Sequence, residues 1–249
     1  MSKFLSPDKV RREYGLEIKE KLIPDGSKHK PNRKLTSGRV EYITIHNTAD
    51  INEAEGTNDA EQYTRATLNG NMGGVSVHYY IDETDCWQLL REDEMGYHAA
   101  DGNTGPGNGT SLAIEIIMQG DKSKDDREAE DRGALLAAIL LRKHGLAITR
   151  LKTHRDWYPK KYCPAYILPH WDDFVKKVMD YTHAMDHLGD VDMDGKVTTK
   201  DARLALRSAV GLTKLTGPQT LAADTDGDGK VTTKDARAIL KTSIGGDPA

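Results

Sequence analysis

Val40 to His46, VEYITIH, is rich in β-branched residues and ends on a histidine, so it reads as a strand that delivers a potential ligand. Val75 to Ile81 (VSVHYYI) and Leu112 to Met118 (LAIEIIM) read the same way. Between the first two, Asn58 is placed to cap a helix running through Asp59, Ala60 and Glu61 to about Leu68, with Gly70 as its stop. Beyond the third, Asp126 to His144 carries Leu135, Leu136, Ile139 and Leu140 at helical spacing and closes at Gly145. Ser6-Pro7 has the form of a cap and a first-turn proline, and His170 to Tyr181 forms a last amphipathic helix with Trp171, Phe174, Val175 and Val178 on one face. The Gly-rich run Asp101 to Gly109 (DGNTGPGNG) is a loop between strands. Strands interleaved with helices imply an α/β layer domain.

The 249 residues allow one large domain or two smaller ones, and the 35 Lys+Arg against 39 Asp+Glu leave a formal charge of −4. That balance supplies no long-range attraction to nucleic acid or an anionic membrane. With 37% apolar and 30% charged residues the chain can build a core, and no stretch approaches the roughly 18 apolar residues of a membrane helix. The opening MSKFLSPDKVRREYG has no apolar run of about 7 to 15 residues. The expectation is therefore a protein not exported by that route, or one whose leader has been removed. Two cysteines, Cys86 and Cys163, make no disulfide framework, so each thiol needs its own explanation.

The last quarter of the chain is a duplication. Asp190 to Arg203 reads DVDMDGKVTTKDAR and Asp224 to Arg237 reads DTDGDGKVTTKDAR, a period of 34 residues. Each copy sets Asp at loop positions 1, 3 and 5, Gly at 6 and Asp at 12: Asp190, Asp192, Asp194, Gly195 and Asp201, then Asp224, Asp226, Asp228, Gly229 and Asp235. Ca²⁺ takes six to eight oxygens, and this spacing wraps alternating carboxylates around one ion. Lys196 and Lys230 offer backbone carbonyls at position 7, with Thr198 and Thr232 at position 9. Residues 186 to 249 hold 10 acidic and 9 basic side chains, and eight of those acids lie in the two loops, so a near-neutral total conceals two concentrated cation sites. Asp rather than Glu at position 12, and the lack of an obvious entering helix before the second loop, depart from an ordinary EF-hand.

With the loop-then-helix strings DGKVTTKDARLALRSAVG and DGKVTTKDARAILKTSIGG, these features resemble type I dockerin modules over residues 186 to 249. The resemblance implies a small all-α domain holding two structural Ca²⁺ ions and docking onto a cohesin domain. It implies partner contacts at Thr199, Lys200, Thr233 and Lys234, with Leu206, Arg207, Leu240 and Lys241 as further candidates.

Three histidines sit in or at the end of apolar segments: His46, His78 and His154. His154 precedes Cys163 by nine residues in HRDWYPKKYCP, and a cysteine without a partner in a hydrophilic, Pro-flanked loop is a good soft ligand. His, His and Cys with an open fourth position form a catalytic zinc set, although spacing alone leaves His46 far from the others.

YITIHNTAD, VSVHYYIDE, GYHAADGNTGPGN, SLAIEI and THRDWYPKKYCP, in this order, resemble the zinc N-acetylmuramoyl-L-alanine amidases, a group that includes lytic amidases and is related to peptidoglycan recognition proteins. The resemblance implies residues 1 to 183 as a catalytic domain with a central mixed β-sheet flanked by helices. It implies one catalytic Zn²⁺ at the sheet's edge on His46, His154 and Cys163, and bacterial peptidoglycan as substrate, cut between N-acetylmuramic acid and L-alanine by an endolysin or autolysin. Glu115 would move the proton from water to the leaving amine, and Lys161 would face the developing oxyanion, with Lys160 as the neighbouring alternative. His78 and His98 fall at positions implying substrate contact or support of the ligands. Trp87 and Trp157 either pack or present a ring to sugar, and Cys86 reads as a small buried hydrophobe. The rival expectations are a non-catalytic peptidoglycan-binding module, whose members commonly lose the cysteine ligand, and a cohesin-docked component of a surface complex.

Overall fold

A computed structural model describes residues 14–48, 59–120 and 124–245. The Ser6-Pro7 and Asn58 caps lie outside the described residues. The described chain divides into two compact units, residues 17–175, and residues 14–16 with 176–245.

The first unit is a mixed six-stranded sheet in the order β1-β4-β3-β5-β2-β6. Its strands are β1 (Lys19–Glu20), β2 (Tyr42–Asn47), β3 (Tyr79–Ile81), β4 (Cys86–Gln88), β5 (Ser111–Ile116) and β6 (Leu151–Thr153). Only β3 and β4 run antiparallel, as a hairpin; β3–β5, β5–β2 and β2–β6 are parallel. Helices α1 (Ala60–Leu68), α2 (Pro106–Thr110), α3 (Lys124–Lys143) and α4 (His154–Trp157) complete the order, and α5 (Trp171–Asp186) begins in this unit and runs on into the second. Among the described residues no helix is long and apolar enough to cross a membrane.

Strand β2, YITIHN, has two chemically distinct faces. Ile43 and Ile45 are fully buried and register with Leu112 and Ile114 of β5. Helix α3 covers that face so closely that a Cβ on Gly133 would stand 2.3 Å from Ile116 Cδ1, which explains a glycine where helix propensity disfavours one. The opposite face carries Tyr42, Thr44 and His46 beside Ser111, Ala113 and Glu115. Thr44 Oγ1 bonds Ser111 Oγ at 2.8 Å and accepts the Trp157 indole N–H at 2.9 Å. Trp157 also meets the Tyr42 ring edge-on at 5.1 Å, so it is a packing residue pinned to the sheet.

Several sequence expectations shift. Asp59 caps α1, its side chain accepting from the Gln62 N–H. Val75 to Ile81 forms a ladder only at Tyr79–Ile81; Ser76 makes an isolated bridge to Tyr97 instead. Helix α5 runs on to Asp186, with Phe174, Val178, Tyr181 and Ala184 as its buried stripe. Cys86 is fully buried and burial pushes its thiol up to about 12, as a small core residue.

Glu92 anchors a partly buried network, accepting from Tyr79 OH at 2.6 Å, Lys143 Nζ at 2.8 Å and His144 Nε2 at 2.9 Å. Burial alone would raise its pKa, but the His144 hydrogen bond and the charge and hydrogen bond of Lys143 hold it at about 2, below the ordinary 4.5. A depressed carboxyl contributes stability that is complete above the unfolded pKa and is lost as pH falls through the folded one. Between pH 5 and 2 the parent should therefore lose thermal stability more steeply than Glu92→Gln. Parallel melting curves for the two chains would refute this assignment.

The second unit packs α6 (Thr199–Ala209) against α8 (Thr233–Ser243), with the short α7 (Gly217–Ala223) leading into the second loop. Its core pairs equivalent positions of the repeat, Ala202 with Ala236 and Ala205 with Ile239, alongside Val191, Leu215 and Ala223. The expectation of no entering helix before the second loop is corrected by α7. Thr216 and Gln219 form its capping box and Pro218 occupies its first turn, so local chemistry starts a helix too short to show periodicity.

Candidate metal centre and calcium loops

The carboxyl ends of parallel strands gather the site, as the open α/β arrangement favours. His46 lies near the end of β2 and registers with Glu115 on β5, so both side chains leave the same face. Edge strand β6 pairs with β2 and runs directly into His154, the first residue of α4. A capping box, with Thr153 accepting from the Asp156 N–H and Asp156 accepting from the Thr153 N–H, starts that helix and fixes where His154 emerges. The loop then returns: the Arg155 N–H donates to the Cys163 carbonyl at 3.1 Å, bringing Cys163 beside His154.

These three residues converge. His154 Nδ1 stands 3.1 Å from His46 Nδ1, and Cys163 Sγ stands 3.7 Å from the same atom. All three side chains are buried, and their donor atoms lie within 4.8 Å of one another. Burial, then the neighbouring His98, His154 and Lys161, drive the His46 pKa well below its ordinary range, and burial with Lys161 lowers His154 to about 4. Both rings are thus neutral near pH 7, with lone pairs to offer. Burial pushes the Cys163 thiol up to about 12, helped by Glu115 and opposed by the Asn47 N–H and Lys161. Such a thiol ionises only beside a cation.

The set fits zinc. Tetrahedral bonds of about 2.0 Å to nitrogen and 2.3 Å to sulfur space the donors about 3.3 to 3.6 Å apart, close to the separations present. His46 Nε2 lies 3.1 Å from His98 Nδ1, so a proton on Nε2 leaves Nδ1 free as a ligand. His154 Nε2 is buried and makes no hydrogen bond among the described residues, while its Nδ1 faces His46. The next segment holds His98 in turn: Asn108 Oδ1 accepts the His98 and Ala99 N–H groups, each at 2.8 Å, while Asp101 accepts the N–H groups of Gly107 and Asn108. Asn108 and Asp101 are positioning residues that the reading of DGNTGPGNG as a plain glycine loop missed. The only signal was the Asn and Asp within that run.

Glu115 keeps partial exposure, yet the protein packed around it raises its pKa to about 7, with Lys161 pulling the other way. The charge of Lys161 acts on His46, His154, Cys163 and Glu115 together. Exposed Tyr158 and Tyr162 flank the lysine, Tyr162 lying under the Arg155 guanidinium at 5.4 Å.

His78 is corrected. It is fully buried, its Nδ1 accepts the Ala113 N–H at 3.1 Å and its Nε2 bonds the Glu94 carbonyl at 2.9 Å. Both ring nitrogens are committed to the backbone, so it has nothing left for a substrate. Trp87 is partly buried, packing against the core cluster beneath Lys19 and Lys21.

In the second unit, Asp190, Asp192 and Asp194 gather their oxygens within 4.8 Å, as do Asp224, Asp226 and Asp228. Gly195 and Gly229 make the turn at φ +88° and +84°. Desolvation and the surrounding carboxylates Asp201, Asp194 and Asp190 raise the Asp192 pKa, a repulsion that a bound cation would relieve. Asp201 and Asp235 stand behind these groups. Asp201 accepts the N–H groups of Val191 and Asp192 on one oxygen and Thr198 on the other, tying loop to helix; Asp235 repeats this with Thr225 and Thr232. Lys196 and Lys230 donate their N–H groups to Asp194 and Asp228. Thr199, Leu206, Thr233 and Leu240 line one apolar groove between α6 and α8. Lys200 with Arg207, and Lys234 with Lys241, line two further hollows related by the repeat.

The fold is an α/β layer whose parallel strand ends gather a buried His–His–Cys cluster that could hold a metal ion with a fourth position open. The N-acetylmuramoyl-L-alanine amidase profile matches residues 36–166, and the chain belongs to that family. A type I dockerin domain follows at residues 188–244. The N-acetylmuramoyl-L-alanine amidase CwlH of Bacillus subtilis (strain 168) is 33% identical over 161 residues, covering 65% of this chain and 60% of that protein. XlyA from the same organism is 35% identical over 159 residues, 64% of this chain and 50% of that protein. The chain thus spans between half and 60% of the length of these relatives. The catalytic domain of XlyA superposes with a TM-score of 0.58 at 32% identity, over 66% of this chain and 99% of that domain. The PlyG catalytic domain gives a TM-score of 0.58 at 29% identity, over 67% of this chain and 96% of that one.

Proposed function

We propose that the first unit is a zinc-dependent peptidoglycan hydrolase that cleaves the amide between N-acetylmuramic acid and L-alanine. The observation that carries this reading is the convergence of His46, His154 and Cys163 beside Glu115. When bound there, zinc supplies a Lewis acid and lowers the pKa of water toward about 7.

The protein's residues do the rest. A carboxyl with a pKa of about 7 exchanges a proton at little cost near neutrality, so Glu115 takes one from the attacking water and later delivers it to the leaving nitrogen. The water oxygen bonds to the carbonyl carbon, the carbon–nitrogen bond breaks, and the amine leaves as the L-alanyl amino terminus. Lys161 places positive charge where the carbonyl oxygen becomes negative. His98 holds the His46 imidazole in the ligating tautomer.

For the second unit the reading is a calcium-dependent docking module whose partner is a cohesin domain, recruiting the hydrolase to a wall-associated assembly. The exposed leucines Leu206 and Leu240 in a shared groove support a protein partner. The site of action is the bacterial cell wall.

Mass spectrometry of digested peptidoglycan tests bond and metal together. Free L-alanyl amino termini should accumulate with the intact protein and vanish after zinc chelation. Reducing-end sugars without new amino termini would replace this reading with a glycosidase.

A further inference from the structure

The two calcium loops share ten consecutive letters, DGKVTTKDAR, but not their surroundings. Asp190, first in its loop, is fully buried; its Oδ1 accepts the Asp194 N–H at 3.1 Å and its Oδ2 the Gly195 N–H at 2.8 Å. One more donor comes from outside the loop, because His183 Nε2 lies 2.7 Å from Oδ2. A carboxylate only accepts, so Nε2 carries the proton whatever the charge of the ring. His183 is itself held in the last turn of α5. Its ring stacks on His187 at 4.4 Å, and its carbonyl accepts the His187 N–H at 2.8 Å.

The second loop keeps the internal bonds and lacks the external one. Asp224 accepts N–H groups from Gly227, Asp228 and Gly229, and among the described residues no side chain donates to it. The position 34 residues after His183 is Gly217, which has no side chain to offer. Asp224 is also partly exposed where Asp190 is sealed.

We propose that His183 is a positioning residue for calcium in the first loop, and that this loop binds the ion more tightly than the second. The inference rests on the calcium reading above. A ligand carboxylate already fixed by two short bonds on Oδ2 loses little freedom when an ion arrives, and Oδ1, with one longer bond, is the freer oxygen. Hydrogen-bond partners of metal ligands contribute about 10 to 100-fold in affinity when removed one at a time. Asp224, held by the backbone alone, lacks that contribution.

Calorimetric titration of calcium into the chelator-stripped full chain tests this, using Asp224→Asn with Asp226→Asn to silence the second loop and Asp192→Asn with Asp194→Asn to silence the first. The chain retaining the first loop should bind about tenfold tighter or better. In that chain His183→Ala should weaken binding by about 10 to 100-fold. His183→Gln, which keeps an N–H donor at similar reach, should restore most of it, and neither change should move the second loop. Helix content in saturating calcium separates lost positioning from lost fold, and the comparison of the two silenced chains stands even if His183→Ala unfolds. Equal affinities in the silenced chains, or an unchanged first loop in His183→Ala, would overturn the proposal. Absence of calcium binding by the parent would overturn the calcium reading itself.

Discussion

Cys163→Ala is expected to lose zinc and wall-clearing activity together while keeping its fold. The thiol is the set's sulfur ligand and the one donor that must shed a proton to bind, and its pKa near 12 in the metal-free protein makes that ionisation dependent on the cation. Hydrogen-bond partners of ligands are already worth about 10 to 100-fold in metal affinity, so a direct ligand should cost more than that. Zinc content after dialysis should drop from one per chain toward none. The stability cost of deleting one buried sulfur is on the order of 1 kcal/mol, well inside what a domain of this size tolerates. Cys86→Ala is the matched control, since Cys86 is equally buried, has a thiol pushed equally high and sits on β4 among core residues. It should retain zinc and activity. A Cys163→Ala protein that clears walls as fast as its parent would end the zinc mechanism. One that binds walls without clearing them would show that recognition is separable from chemistry.

The sequence exposed those features whose physical cause is local. β-branched runs became β2 and β5, the helical spacing of Leu135, Leu136, Ile139 and Leu140 became α3, and the duplicated DGKVTTKDAR became two equivalent loop–helix units. Elements below one or two turns were invisible to periodicity. Helices α2, α4 and α7 arise instead from Pro106, the Thr153–Asp156 box and the Thr216–Gln219 box. Residues whose role depends on sheet order were the hardest to read. His98 reaches His46 across 52 positions, Trp157 reaches Thr44 across 113, and Cys163 reaches His46 across 117. The ordered motifs of the amidase resemblance picked out His46, His154 and Cys163, whose donor atoms the fold brings within 4.8 Å of one another. No motif distinguished His78, whose two nitrogens serve the backbone, from His98, which touches His46. Both sit in apolar surroundings, and only the hydrogen-bond partners tell them apart.

Glu115→Gln should separate chemistry from metal binding. The substitution keeps the shape and hydrogen-bonding capacity of the side chain but removes its ability to take a proton. General acid–base groups contribute about 10²–10⁴-fold, so turnover on peptidoglycan should fall by that range. Zinc stoichiometry should stay at that of the parent, because Glu115 enters the site from β5 whereas the ligands come from β2, α4 and the loop that follows. The pH profile supplies a second readout. Glu115 acts when ionised, so activity should be present above its pKa and lost as pH falls below it. Burial sets that pKa at about 7, and a dication bound nearby moves it lower by favouring the charged form. The acid limb of kcat/KM should therefore lie at or below pH 7 in the parent and disappear from the residual activity of Glu115→Gln. Were the variant to retain parental turnover, the carboxyl would be a mere partly exposed strand residue, and the proton would have to travel by another group. Were turnover and zinc to fall together, Glu115 would be holding the metal centre in place rather than moving a proton. The partial exposure of Glu115 in a strand otherwise buried, and its register with a ligand, favour proton transfer.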